Sequence, residues 1–182
     1  LGIKNSLMVV DMPYKSFVNK LTALRNAKRI IKETKCDAVK IEGGSSVIKI
    51  IEHLVKNNIP LMGHLGILPQ SAKGKFKFKG KKTKERNKIL NDAKLLQKKG
   101  VFSIVLECVE STLAKEITKS LKIPTIGIGS SKNCDGQVLV IDDLIGLNDS
   151  KIKFVKKFGS IKNNISQAAK KIKKEVLNKK YP

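Results

Sequence analysis

The sequence predicts an α/β protein with a parallel sheet, either an open doubly wound sheet or a (β/α)8 TIM barrel of which about six βα units are present. Three observations carry this. Short apolar runs alternate with amphipathic helical stretches along the 182 residues, the pattern of parallel strands joined by helical crossovers. Four runs end on an ionisable residue: Asp11, Glu42, His64 and Glu107. Buried parallel strands are apolar almost throughout, and such folds place their chemistry at the strands' C-terminal ends. Finally, the chain is shorter than the roughly 250 residues of a closed eight-stranded barrel and opens at Leu1 almost directly on a strand. On the barrel reading, the N-terminal two units are expected to be missing.

The expected strands are Ser6–Asp11, Ala38–Glu42, Pro60–His64, Phe102–Glu107, Thr125–Gly129 and Gln137–Ile141. Between the first two, Phe17, Leu21, Leu24, Ala27 and Ile31 share one helical face. Val47, Ile50, Ile51, Leu54 and Val55 do the same before the third. Ile89, Ala93 and Leu96 mark a helix stopped at Gly100, a natural C-cap residue. Leu113, Ala114, Ile117 and Leu121 mark another, with Ser111 placed to cap it. Ile161, Ile165, Ala168, Ile172 and Val176 give a C-terminal amphipathic helix within 160–180, its outer face rich in lysine. One catalytic domain over 1–182 holds all of these. Residues 130–136 are short for a parallel crossover, which usually takes a dozen or more, so a helical turn at most is expected there. Ala72–Lys84, polar and Gly-containing around Phe76 and Phe78, reads either as a lid near the site or as a solvated loop.

Composition narrows the function. With 41% apolar residues and no run near the roughly 18 a membrane helix needs, the chain is neither disordered nor membrane-spanning. Three cysteines without metal-ligand spacing suggest reduced thiols and a cytoplasmic setting. Cys108 is either a nucleophile or a buried core thiol. The net charge of +23 invites a nucleic-acid partner, but 35 of the 38 basic residues are Lys and aromatics are 4%. Specific nucleic-acid sites draw on Arg forks and stacking aromatics. A drift toward Lys, with non-specific polyanion binding at low salt, explains the charge better.

Asp11 and Glu42 end successive strands, about 4.8 Å apart if paired, so their carboxylates are placed to share a cation such as Mg²⁺. Lys40 shares a face with Glu42 and is suited to an anionic substrate. The alternative is a structural ion-pair cluster. His64, between Gly63 and Leu65-Gly66, is either a proton-handling group or a satisfied core histidine. Glu107 ends an apolar strand and suits a general base or acid, or is a glutamate held by a lysine. Gly127-Ile128-Gly129-Ser130-Ser131 reads as a weak phosphate cradle or as close packing.

Together, Asp11-Met12-Pro13-Tyr14, Val39-Lys40-Ile41-Glu42-Gly43-Gly44, Gly63-His64-Leu65-Gly66-Ile67-Leu68-Pro69-Gln70-Ser71, Leu106-Glu107-Cys108-Val109, Ile123-Pro124-Thr125-Ile126-Gly127-Ile128-Gly129 and Cys134-Asp135-Gly136-Gln137-Val138-Leu139-Val140 resemble the ketopantoate (3-methyl-2-oxobutanoate) hydroxymethyltransferase family. They run in family order over nearly the whole chain. The resemblance implies a (β/α)8 barrel, a cytoplasmic homo-oligomer (usually a decamer) and Mg²⁺. It implies transfer of a hydroxymethyl group from 5,10-methylenetetrahydrofolate to 3-methyl-2-oxobutanoate, giving 2-dehydropantoate on the way to pantothenate and coenzyme A. By the same resemblance Asp11 and Glu42 are metal ligands, Asp11 and Lys40 contact the keto acid, Glu107 is the catalytic base, and His64 is a further site residue. The chain departs from the family in three places. A further metal-binding aspartate and a substrate-binding serine have no match, and that stretch would precede Leu1. Lys75 and Phe76 stand where the family tends to have glycine and tyrosine. Ser130-Ser131 replaces an Ala-Gly pair. The competing readings are a Mg²⁺-dependent aldolase or lyase of a 2-oxo acid, an inactive fragment, and a polyanion-binding protein.

Overall fold

The computed structural model describes residues 4–72, 77–148, 152 and 154–181. Residues Leu1–Gln137 and Val138–Pro182 form two compact units. The first carries the sheet: β1 (Val9–Asp11), β2 (Ala38–Glu42), β3 (Leu61–Gly66), β4 (Ser103–Glu107), β5 (Thr125–Ile128) and β6 (Gly136–Gln137). All pairings are parallel and the spatial order is β1-β2-β3-β4-β5-β6. An open doubly wound sheet reverses its order at a switch point. Here each strand pairs with its successor, the winding of a (β/α)8 barrel, so the sheet is a six-strand arc of that fold.

The crossovers are α1 (Lys20–Thr34), a 3₁₀ turn (Ser45–Val47) running into α2 (Ile48–Lys56), α3 (Thr83–Lys98) and α4 (Ser111–Ser120). Asn19 caps α1 by accepting from the Thr22 N–H at 2.9 Å. Lys35, at φ 58°, ends that helix in the left-handed conformation. Val39, Ile41, Ile104 and Leu106 lie between the sheet and Ala23, Ala27, Ile51, Leu54, Ala93, Leu96, Leu113, Ala114 and Ile117, all fully buried. Each large aliphatic side chain so covered contributes roughly 1.5–3 kcal/mol. Burial of these opposite faces leaves Lys40, Glu42, His64 and Glu107 on the other side of the pleat.

Several expectations need correction. Leu21 is 77% exposed, while Ala23 is fully buried in the core. The first strand begins at Val9, not Ser6. The sixth is Gly136–Gln137 only; Val138 and Val140 are half-exposed, and Ile141 enters α5 (Ile141–Leu144) instead of ending a strand. Ser111 does not cap α4. Glu110 does, its carboxylate accepting from the Thr112 and Leu113 N–H groups at 3.1 and 3.0 Å. The β5–β6 connection holds a single turn, the Cys134 N–H donating to the Ser131 carbonyl at 3.2 Å. The Asp135 carboxylate reaches back to the Thr125 N–H at 2.8 Å and ties the two strands. Of the loop expected over Ala72–Lys84, Lys73–Phe76 lie outside the described residues, with Lys75 and Phe76 among them. Lys79 is bound to the end of β4: its N–H donates to the Cys108 carbonyl, and its carbonyl accepts from the Glu110 N–H, each at 2.8 Å.

In the second unit, α5 leads to α6 (Ile161–Leu177), within the expected 160–180 range. The N–H groups of Phe158 and Gly159 donate to the Leu144 carbonyl, and that of Ile161 to the Ile145 carbonyl. These bonds tie the start of α6 to the end of α5. Ile165, Ile172 and Val176 on α6 are exposed.

Candidate active site

The parallel register sets the site. Asp11 pairs with Lys40, Glu42 with His64, and Gly66 with Glu107. The C-terminal ends of β1 to β4 thereby place four charged or titratable side chains within reach of one another. Lys40 Nζ lies 2.6 Å from Asp11 Oδ1 and 3.0 Å from His64 Nδ1. His64 Nε2 lies 3.3 Å from Glu107 Oε2, off the line of a hydrogen bond and without another partner among the described residues. An ammonium group only donates. Nδ1 of His64 is therefore the acceptor, and in the neutral ring the proton sits on Nε2, facing Glu107. The result is a bonded chain Asp11–Lys40–His64, with Glu107 Oε2 3.3 Å beyond its last nitrogen, across four adjacent strand ends.

Glu42 lies beside this bonded chain and is 8% exposed. Burial pushes its carboxyl above the usual range; His64, the Gln70 N–H and Lys40 pull it down, and Asp11 pushes it up. The Gln70 N–H donates to Glu42 Oε2 at 3.3 Å, and Gln70 Nε2 donates to the Met12 carbonyl at 3.1 Å. The loop after β3 thus crosses from Glu42 to the end of β1.

The structure brings together all five residues singled out from the sequence: Asp11, Lys40, Glu42, His64 and Glu107. It also adds three to which the sequence assigned no role at the site. Gln70 is one. Asp92 on α3 is another: it is 8% exposed, accepts from the Ser45 N–H at 3.0 Å, and receives Lys88 Nζ at 2.8 Å. A Cβ at Gly44 would fall 2.2 Å from Asp92 Oδ2, so the glycine after Gly43 lets α3 reach the loop that follows Glu42. The third is Ser130, whose hydroxyl donates to the Leu106 carbonyl at 2.6 Å and accepts from the Val109 N–H at 3.0 Å. It clamps the backbone on both sides of Glu107.

Two sequence alternatives resolve. Gly127 packs tightly, a Cβ there falling 3.0 Å from Gln137 Oε1, and a turn follows instead of a helix. Close packing accounts for Gly127, and a left-handed φ of 59° for Gly129. Cys108 is 2% exposed, and burial, then Glu107, push its thiol up to about 11. That is the opposite of an activated nucleophile. All three cysteines are free and buried.

Among the described residues no group of three or more His, Cys, Asp or Glu is arranged to hold a metal ion. The pair Asp11 and Glu42 still fits Mg²⁺, which takes one or two protein carboxylates and keeps waters or substrate oxygens in its other positions. Glu42 is buried, with one carboxylate oxygen held by the Gln70 N–H, and Asp11 is paired with Lys40. Among the described residues no helix is long and apolar enough to cross a membrane.

A singly wound parallel sheet with ionisable side chains gathered at its strand ends defines a barrel-type α/β enzyme. Comparison with known sequences identifies which. The family described as "Ketopantoate hydroxymethyltransferase" matches residues 1–182. The chain is 63% identical over 182 residues to the 3-methyl-2-oxobutanoate hydroxymethyltransferase of Pelagibacter ubique, covering all of this chain and 70% of that one. It is 47% identical over 185 residues to the enzyme of the same name from Clostridium botulinum strain 657, covering all of this chain and 67% of the relative. It is 44% identical over 184 residues to that of Phenylobacterium zucineum, with the same coverages. The chain belongs to the ketopantoate hydroxymethyltransferase family, a family of transferases.

Proposed function

We propose that this chain transfers a hydroxymethyl group from 5,10-methylenetetrahydrofolate to 3-methyl-2-oxobutanoate, giving 2-dehydropantoate for pantothenate and coenzyme A synthesis. It does so with Mg²⁺ held by Asp11 and Glu42, in the cytoplasm, as a homo-oligomer. The observation that carries the reading is the bonded chain Asp11–Lys40–His64 with Glu107 beyond its last nitrogen, beside the second carboxyl of Glu42.

The chemistry follows from these groups. The reaction must break the C3–H bond of a 2-oxo acid anion. Glu107 is the base that takes this proton, and the electron pair of the C–H bond moves into the enolate. His64 Nε2–H faces Glu107 and holds its negative charge before the transfer. Lys40 fixes the histidine tautomer and opposes the substrate's negative charge. Mg²⁺, when bound, supplies a Lewis acid for the carboxylate and keto oxygens of the substrate. Water adds to the methylene carbon of the folate and both of its C–N bonds break, the two nitrogens taking the water protons as tetrahydrofolate leaves; enolate C3 attacks the formaldehyde carbon so released, and the proton held by Glu107 goes to the new alkoxide. The burial of His64 and the closely packed end of β4 keep the base away from bulk water.

The test is turnover with 3-methyl-2-oxobutanoate, 5,10-methylenetetrahydrofolate and Mg²⁺. Glu107→Gln lowers the rate at least about 100-fold, the scale of general-base catalysis, with keto-acid binding retained. An unchanged rate removes Glu107 from the role of base.

A further inference from the structure

Gln70 is tied to both carboxylate-bearing strands. Its N–H donates to Glu42 Oε2 at 3.3 Å, and its Nε2 donates to the carbonyl of Met12, the residue after Asp11, at 3.1 Å. The second bond fixes the orientation of the amide, because a carbonyl accepts and only Nε2 can donate to it. Oε1 is then committed to the opposite direction. It is buried and has no hydrogen-bond partner among the described residues. A buried carbonyl oxygen left unpaired costs roughly 1–3 kcal/mol. An amide so anchored, in a residue bonded to both carboxylate-bearing strands, is set up for a donor that arrives with a ligand.

The ligand class follows from what can donate. A 2-oxo acid anion offers only acceptor oxygens at its reactive end and cannot satisfy Oε1. Water in the shell of a divalent cation is a strong donor, and Mg²⁺ characteristically keeps several. Glu42 meets the same residue through the Gln70 N–H. We propose that Gln70 is a positioning residue for a hydrated divalent cation between Asp11 and Glu42: its N–H orients Glu42, its Nε2 anchors the loop to β1, and its Oε1 accepts a hydrogen bond from a water of the cation. This rests on the cation reading of Asp11 and Glu42 given above. Outer-shell partners of this kind are worth about 10–100-fold in metal affinity.

The experiment is calorimetric titration of Mn²⁺ alone into the full chain, its Gln70→Leu and Gln70→Met variants, and Glu42→Gln. Melting of each metal-free protein serves as the fold control. The expected result is binding by the unsubstituted chain and weakening by about 10–100-fold in both Gln70 variants, with metal-free melting little changed. If the chain binds Mn²⁺, Glu42→Gln impairs it and both Gln70 variants match the unsubstituted chain, the Gln70 proposal is overturned and the cation site stands. A raised KM for the folate with unaltered Mn²⁺ affinity overturns it too, assigning Oε1 to the co-substrate. If the chain itself does not bind Mn²⁺, the cation reading falls and the proposal falls with it. Loss of fold in both Gln70 variants would assign the residue to the architecture and refute the proposal.

Discussion

The centre of the sheet and its first edge contribute different halves of one site. At the centre, β3 and β4 pair on both sides, and the side chains of His64 and Glu107 are only 3% and 13% exposed. At the edge, β1 pairs with β2 alone, and Asp11 leaves 54% of its side chain open. Charge interactions strengthen away from water and weaken in it. The centre is therefore where a proton can be held on a defined atom, and Asp11 is the more accessible carboxylate of the site. Lys40, 15% exposed, joins the two.

This contrast predicts that the centre tolerates little change. Gly66 pairs with Glu107 and has φ +100°, and a Cβ there would fall 2.1 Å from the Glu107 carbonyl oxygen. Forcing a side chain into a sparsely populated backbone region costs of order 1–3 kcal/mol, and the overlap adds to it. Gly66→Ala should destabilise the chain by about 3 kcal/mol or more in chemical denaturation. A loss below about 1 kcal/mol would show that the end of β4 is as pliable as an edge, and the contrast would fail.

Legibility from sequence divides along the same line. The interior strand Ala38–Glu42 reads from its letters and is found with the same limits, because Ala38, Val39 and Ile41 mark an apolar run and the Gly43-Gly44 pair ends it. The outer strands read poorly. Val138, Leu139 and Val140 look like strand, yet Val138 and Val140 are half-exposed and the chain turns into α5 at once. Strand preference is mostly packing against neighbours, and an edge has fewer of them. The site residues were legible because an acid or histidine ending an apolar run is unusual enough to notice. Gln70 was not, since its role depends on the path of the loop across Glu42 and Met12. Asp92 was not, since on a helix of mixed polarity it reads as a solvent-facing position until Gly44 is seen packed against it. The tautomer of His64 follows only once Lys40 is seen to reach across from β2.

A smaller effect is expected just beyond the centre. Glu110 caps α4 through two backbone N–H groups, and its carboxyl is held down to about 2 by the Thr112 hydroxyl first, with backbone bonds and Arg86 also contributing. Glu110→Ala should cost about 1 kcal/mol at pH 7, the usual loss of a helix N-cap. The sign of the pH effect is fixed by a folded pKa below the ordinary 4.5: the contribution is complete above 4.5 and fades as pH falls toward about 2. Melting of the two proteins between pH 7 and pH 2 checks this. A difference that grows on acidification would contradict the cap.

The smallest stability change belongs to the edge, and there stability and function should separate. Asp11→Asn keeps an acceptor oxygen for Lys40 and removes only the charge of a half-exposed pair. Exposed ion pairs are worth about 0–1 kcal/mol, so unfolding should shift by less than about 1 kcal/mol. The same substitution takes one of the two carboxylates from the proposed cation seat, so the Mg²⁺ requirement and the KM for the keto acid should both rise. Equal damage to unfolding at Asp11 and at Gly66 would erase the distinction between an open edge and a closed centre. Unaltered Mg²⁺ dependence in Asp11→Asn would instead leave Glu42 as the sole proposed ligand in this chain.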